Sequence, residues 1–326
     1  MNRHHLTRIL LTASIVASAG LAGAATASAH SGHSSGRPAT YLLQGDADSP
    51  VGSKFEGIGA DQRRGLFYVS EVTGGEIHRG SVNSARTKEW IAGDGTDGRY
   101  TARGITVDAQ GRVYVAGGPN GIGTGRPDLW VYDAKGKLLA ALRAPGNDVF
   151  LNDVAIGRDG AAYFTNSNDA QIFRVAPGRG GWQATLWADA SKVIERKDGF
   201  NLGGIVLSAD RSGFVVAQGN VGRMWRFDSR TGAVREIATD TDLVNADGLV
   251  RRGNQLTVVR NFSKMIATLR VSADGSRLVT LGQRPTSADR VLTTAKELRG
   301  RILYVDSKFD EAVASGPYQV ITDPSR

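Results

Sequence analysis

The segment GITVDAQGRVYV, residues 104–115, contains the unit that decides the fold of this chain. It has an apolar strand, a glycine-centred turn, and a second strand rich in β-branched and aromatic residues. The same order recurs along the whole sequence, which makes a repeat the main signal. The other five copies are GIGADQRRGLFYV (57–69), DVAIGRDGAAYF (153–164), GIVLSADRSGFVV (204–216), GLVRRGNQLTV (248–258) and the weaker VLTTAKELRGRILYV (291–305).

Successive turn glycines of these copies are 40 to 53 residues apart, which is the length of one four-stranded propeller blade. A third apolar strand such as 128–133 follows in each blade, and the sequence contains no convincing helix. A β-sandwich does not predict six copies at this spacing. We therefore predict an all-β fold, a six-bladed β-propeller with four-stranded antiparallel blades around a central channel. A strand at 40–43 is expected to complete the last blade beside 318–321.

The start of the chain is typical of an exported protein. Arg3 and Arg8 belong to a basic head, residues 9–25 are apolar, and Ala27-Ser28-Ala29 offers a small-residue cleavage pattern. The alternative is a membrane anchor, but the apolar core is short and alanine-rich. We predict a signal peptide over 1–29, a flexible N-terminus over 30–38, a propeller over 39–326, and a secreted, extracellular protein.

Composition excludes several classes of function. The chain has no cysteine, so it has no disulfide, no thiolate metal site and no cysteine nucleophile. Its formal charge is +8, but the basic residues are scattered and no aromatic platform interleaves with them. We therefore expect no nucleic-acid partner and no stable membrane insertion. A small-molecule substrate or ligand is the expected partner.

In a propeller the innermost strands line the channel, so the residues that enter these strands are candidates for a site. Two carboxylates and an asparagine among them form a hard-oxygen set that suits Ca²⁺ or Mg²⁺. The alternative is that Asp-Gly and Asn-Asp pairs only form tight turns. The positions are Glu56, Arg103, Asn152 with Asp153, Gly203 and Asp247, with Asp289, Thr293 and Thr294 in the sixth blade.

The motifs FEG (55–57), LNDV (151–154) and ADGL (246–249) resemble the SMP-30/gluconolactonase/LRE family of six-bladed propellers. The similarity covers residues 40–322. The chain also resembles paraoxonases and strictosidine-synthase-like proteins, but more distantly. Members of the family hold a divalent cation and hydrolyse lactones. The resemblance therefore implies Glu56, Asn152 and Asp247 as metal ligands, with calcium as the first choice and magnesium or zinc as alternatives.

One position departs from the family pattern. Family members place Asn-Gly before the inner strand of the fourth blade, whereas this chain has Gly203-Gly204. Glycine has no side chain that could bind a cation. Asn201 could reach the gap if its loop bends, or water could fill it; otherwise the site has lost a ligand.

Histidine usage limits the mechanism. His78 is the one histidine outside residues 1–33, so the sequence has neither a Ser-His-Asp triad nor a paraoxonase-like histidine pair. Metal and carboxylate chemistry remains. Asp247 or Asp153 is the expected proton acceptor. Arg103 is expected either to bind an anionic or hydroxylated substrate or to form an ion pair between blades. Asn201 is a second candidate for substrate binding.

Two functions are open at this point. The first is a secreted metal-dependent hydrolase of the lactonase or esterase type, with its cation in the propeller channel. The second is a non-catalytic propeller that binds a small ligand, a glycan or a protein, because this fold hosts many functions. A donor that fills the gap at Gly203 would favour the first, and an unfilled gap would favour the second.

Overall fold

The computed structural model describes residues 36–46, 49–119 and 126–326. This part of the chain consists mainly of short strands joined by tight turns. The predicted signal peptide and most of the predicted flexible N-terminus lie outside the described residues. Arg37–Arg326 form one compact unit. In the described part of the chain, no helix has the length and hydropathy needed to cross a membrane.

The strands form six blades, which confirms the predicted six-bladed propeller. Blade I contains β2 (Phe55–Asp61), β3 (Leu66–Glu71), β4 (Ile77–Ser81) and β5 (Lys88–Ile91). Blade II contains β6 (Ile105–Val107), β7 (Val113–Ala116), β9 (Leu129–Tyr132) and β10 (Leu138–Leu142), after a 3₁₀ turn at Thr96–Gly98. Blade III contains β11 (Phe150–Ile156), β12 (Ala162–Asn166), β13 (Gln171–Gly178) and β14 (Gly181–Asp189), and the short β8 (Gly118–Pro119) pairs with β11.

The other three blades repeat this order. Blade IV contains β15 (Leu202–Leu207), β16 (Gly213–Gln218), β17 (Arg223–Asp228) and β18 (Val234–Thr239). Blade V contains β19 (Ala246–Arg252), β20 (Gln255–Arg260), β21 (Met265–Val271) and β22 (Arg277–Pro285). Blade VI contains β23 (Leu292–Leu298), β24 (Arg301–Asp306), β25 (Tyr318–Ile321) and β1 (Thr40–Leu43).

The first and last strands close the ring as predicted. Thr40 pairs with Ile321 and Leu43 with Tyr318 in an antiparallel register. A second link was not expected from the sequence: β18 and β22 pair in parallel and join blades IV and V into one eight-stranded sheet.

The core lies between neighbouring blades, because each middle strand is covered on both faces. All six residues of β16 are buried, as expected for a strand between two sheets. Tyr163 of blade III packs on Phe214 of blade IV with ring centroids 4.5 Å apart. This packing fixes the direction in which each innermost strand faces the channel.

Five of the innermost strands contain the same β-bulge, and it positions the site. In β2, Phe55 pairs with Glu71 and Ile58 with Val69, so that Glu56 and Gly57 together oppose a single residue. A bulge of this kind turns a side chain away from the regular alternation and is common beside functional sites. The register shift recurs between Leu151 and Val154, Leu202 and Ile205, Ala246 and Leu249, and Leu292 and Ala295.

The second residue of the bulge is small because the next blade lies against it. A Cβ atom added to Gly57 would lie 2.1 Å from the Arg103 carbonyl oxygen, and one added to Gly204 would lie 1.9 Å from that of Asp247. Side-chain atoms do not fit at such distances. The Glu-Gly and Asp-Gly pairs in the sequence thus combine a channel-facing side chain with a close contact between blades.

Candidate functional site

A cavity of about 400 Å³ opens at one mouth of the channel, above the bulges. This volume falls in the range of small-molecule sites. Its floor is polar and its upper wall carries phenyl rings. The lining residues are Glu56, Arg103, Asn152, Gly199, Phe200, Asn201, Gly203, Gly219, Asn220, Asn245, Ala246, Asp247, Asn261, Phe262 and Phe309.

The three predicted metal ligands meet on the floor of this cavity. Glu56 comes from β2, Asn152 from β11 and Asp247 from β19, each at the first position of its bulge. They also line a second space of about 10 Å³, together with Asp153 and Thr294. A space of that size holds one water molecule or one ion.

Arg103 lies on the same floor, where it forms an ion pair with a predicted ligand. Its Nη1 atom donates to Glu56 Oε2 at 2.5 Å, and its guanidinium stacks on the Phe150 ring at 4.6 Å. The Arg103 Nε atom is buried and has no hydrogen-bond partner. Arg103 is therefore fixed on one side and has unused donor capacity on the other.

The carboxyl groups on the floor are crowded and buried. Burial raises the pKa of the Asp247 carboxyl well above its usual range, and the nearby Glu56 and Asp153 carboxylates raise it further. Burial also raises the pKa of Glu56, although the Arg103 guanidinium acts in the opposite direction. Three carboxyl groups, those of Glu56, Asp153 and Asp247, thus lie close to one guanidinium, that of Arg103.

Asp247 has a specific hydrogen-bond partner that the sequence analysis did not identify. Asn261, at the turn after β20, donates its Nδ2 to Asp247 Oδ2 at 2.9 Å, and its own Oδ1 accepts from the Phe262 backbone at 2.6 Å. This bond fixes the orientation of the Asp247 carboxyl. The signal in the sequence was weak, because Asn261 lies fourteen residues beyond Asp247, in a turn after the next strand.

Asp153, the other predicted proton acceptor, is engaged with backbone groups. Its Oδ1 accepts from the Val154 amide at 2.8 Å and its Oδ2 from the Ile205 amide at 3.1 Å. The carboxyl therefore links blades III and IV and lines the smaller space below the cavity. Its catalytic role stays a prediction, and Asp247 has the better access to the larger cavity.

Asn201 lines the cavity, but its amide holds the loop before β15. Its Oδ1 accepts from the Lys197 amide at 2.9 Å and from Gln218 Nε2 at 3.1 Å, and its Nδ2 donates to the Lys197 carbonyl at 2.9 Å. Binding a substrate or filling the gap at Gly203 would require Asn201 to give up such bonds. Gly203 itself faces Asn152, whose Oδ1 would lie 3.7 Å from an added Cβ.

The sixth blade contributes less than its sequence positions suggest. Asp289 is exposed and lies outside the cavity lining. Thr293 is buried, and its hydroxyl donates to the Glu56 carbonyl at 3.0 Å. Thr293 therefore supports the backbone that presents Glu56, while Thr294 lines the smaller space.

The donor set fits a divalent cation with few protein ligands. Two carboxyl groups and one amide oxygen share one floor, and oxygen donors of this kind are the ligands that Ca²⁺ and Mg²⁺ prefer. Within the described ranges, no three His, Asp or Glu side chains are grouped closely enough to hold a metal by themselves. A cation here would need Asn152 and further oxygen donors from water or ligand.

The fold and the cavity define a six-bladed propeller with its site at the channel mouth. Gluconolactonase from Xanthomonas campestris is similar, with a TM-score of 0.59, 19% identity and coverage of 83% of this chain and 86% of that one. Regucalcin from Agrobacterium tumefaciens, a calcium-binding protein, has a TM-score of 0.56 at 17% identity, covering 87% and 96%. Virginiamycin B lyase from Staphylococcus aureus has a TM-score of 0.58 at 13% identity, covering 82% and 81%.

These structural similarities confirm the resemblance to SMP-30/gluconolactonase-like proteins, and at identities of 13% to 19% they show the fold alone. No protein-family model and no curated protein sequence matches the chain. The site residues of this chain therefore have to be argued from its own geometry.

Proposed function

We propose that this protein is a secreted, divalent-cation-dependent hydrolase of the lactonase or esterase type. The observation that carries the proposal is the meeting of Glu56, Asn152 and Asp247 beneath a cavity of substrate size. The similarity to a gluconolactonase and to a calcium-binding regucalcin supports the same class of activity and cation. Calcium is the preferred ion, since all three donors are oxygens.

Each floor residue has a role that follows from its position. When bound, a divalent cation supplies polarisation of a carbonyl group and a lowered pKa for water. Beside a bound cation the Asp247 carboxyl would stay ionised despite its burial, and Asp247, oriented by Asn261, would then accept the proton of the attacking water. Arg103 lines the cavity and holds an anionic or hydroxyl group of the substrate with the part of its guanidinium that Glu56 does not engage.

A second candidate function rests on two observations. Gly203 contributes no donor, and Arg103 already neutralises Glu56 at 2.5 Å. A floor arranged in this way can bind a small polar ligand through Arg103 and Asn152 without a cation. In that case the protein is a non-catalytic ligand-binding propeller.

Calcium titration by calorimetry separates the two candidates. The test compares the parent protein with Glu56→Gln and Asp247→Asn, and uses Asp289→Asn as the control because Asp289 is an exposed carboxylate outside the cavity. We expect micromolar binding that both floor variants lose and the control keeps. We also expect calcium-dependent hydrolysis of simple lactones, abolished by a chelator.

Absence of calcium binding in the folded parent would overturn the hydrolase proposal and favour the ligand-binding function.

Export of the protein has its own test. Protein recovered from the culture medium is expected to begin at His30, the residue after the predicted cleavage site. Retention of residues 1–29 in that protein would contradict the proposed processing.

A further inference from the structure

Two phenyl side chains of the cavity lining are more than half exposed. Phe200 is 58% exposed and Phe262 is 55% exposed, and both line the cavity together with Phe309. Exposed apolar side chains that line a cavity favour an apolar group of a ligand. The floor residues discussed above do not account for these exposed rings.

The loop that carries Phe200 is held at the rim by hydrogen bonds of the neighbouring Asn201 side chain. The Asn201 amide bonds to both the amide and the carbonyl of Lys197 and donates to the Gly199 carbonyl at 3.2 Å. Asn201 is 1% exposed, and Gln218 donates both to it and to the Glu195 carbonyl. The loop therefore presents Phe200 to the cavity instead of letting it fold onto the surface.

The phenyl wall continues down to the polar floor. The Phe200 and Phe150 ring centroids lie 5.0 Å apart, and the Arg103 guanidinium stacks on Phe150 at 4.6 Å. One end of the cavity thus offers phenyl rings, and the other offers the Arg103 guanidinium and carboxyl groups. A ligand that matches this arrangement has an apolar group at one end and a polar head at the other.

We propose that the substrate carries an apolar acyl or aryl group, which packs between Phe200 and Phe262 while its carbonyl faces the floor. This inference rests on the proposed hydrolase function and names the substrate class of the same site. An apolar group removes the phenyl surface from water and leaves no hydroxyl unpaired. Phe200 is thus a specificity-determining residue, and Asn201 is its positioning residue.

A series of lactones tests the inference on the full protein. γ-Butyrolactone, γ-nonalactone and glucono-δ-lactone are compared as substrates of the parent, Phe200→Ala and Val193→Ala. Val193 is the control because it is 56% exposed in the same loop region but does not line the cavity. Each methylene in contact with the wall contributes about fourfold. We expect kcat/KM to be at least about 30-fold higher for γ-nonalactone than for γ-butyrolactone.

The expected result for Phe200→Ala is a roughly tenfold smaller preference for the long lactone, with Val193→Ala unchanged. Calorimetric binding of cyclopentanone and 2-pentylcyclopentanone, which cannot be hydrolysed, gives a readout that does not depend on catalysis. Chain-length-dependent binding without any hydrolysis would support the apolar subsite and overturn the hydrolase. Hydrolysis of glucono-δ-lactone as fast as γ-nonalactone, or an unchanged preference in Phe200→Ala, would overturn the inference while leaving the hydrolase standing.

Discussion

Restoring a side chain at position 203 is the sharpest test of the cation site. Gly203 occupies the channel position of blade IV, and an added Cβ would have only Asn152 Oδ1 within 4 Å, at 3.7 Å. This is ordinary van der Waals contact. The backbone of Gly203 is also outside the left-handed region, so that other residues can adopt it. Gly203→Asn is therefore expected to fold and to direct its amide toward Asn152.

The size of the effect follows from the added donor. An oxygen that interacts with a charged group contributes about 1.5 to 3 kcal/mol, which corresponds to about 10- to 100-fold in affinity. We expect Gly203→Asn to bind calcium tighter than the parent by that factor. Loss of glycine also reduces the freedom of the unfolded chain and stabilises the protein by about 0.4 to 1 kcal/mol.

The assay is calorimetric calcium titration, and Gly203→Ala is the matched control because it removes the glycine but adds no donor. A gain in Gly203→Asn that Gly203→Ala lacks would show that the new amide oxygen faces the cation. Equal calcium affinities in the two folded variants would refute the assignment of the channel mouth as the cation site, since the added oxygen lies beside a proposed ligand.

Two further predictions concern stability. Gly204→Ala places a methyl group 1.9 Å from the Asp247 carbonyl oxygen and is expected to lower the free energy of unfolding by about 3 kcal/mol in denaturant titrations; an unchanged midpoint would contradict the blade contact. Burial and Glu71 raise the pKa of Glu76 from 4.5 to about 7, so the folded state binds the proton more tightly and loses stability as pH rises between these values. We expect the free energy of unfolding of the parent to fall by about 3 kcal/mol over this range, and that of Glu76→Gln to fall much less. Glu89 is exposed, so Glu89→Gln is the control and should behave like the parent. Parallel pH profiles of stability for the parent and Glu76→Gln would contradict the raised pKa.

The repeat made the fold predictable, because the same pattern of strands and turns recurs in the sequence of each blade. Closure by residues 40–43 and 318–321 was predictable for the same reason, since the sixth blade lacked an outer strand. The channel position was also readable in five blades. Of the three candidates in blade VI, Asp289 lies outside the site. The channel position of that blade belongs to Thr293, the second residue of β23.

The upper half of the cavity could not be predicted from the sequence. Phe200 and Phe262 lie in loops of different blades, and such loops follow no period that would bring them together. The sequence left an ion pair between blades open as one of two roles for Arg103, but it did not identify Glu56 as the partner. Both residues were assigned to the channel mouth, but only the three-dimensional distance of 2.5 Å shows that they bind each other.

The bulge separates what the fold requires from what the chemistry can vary. Its second residue lies against the neighbouring blade, so packing restricts it to small side chains or to a residue such as Asp153, whose carboxyl bonds to that blade. Its first residue faces the channel and meets no such restriction. The first positions of the five bulges hold Glu56, Asn152, Gly203, Asp247 and Thr293, and Arg103 precedes the inner strand of blade II. These six residues are of five chemical kinds. Propellers with identities of 13% to 19% can therefore share this architecture and still differ in the floor that decides their chemistry.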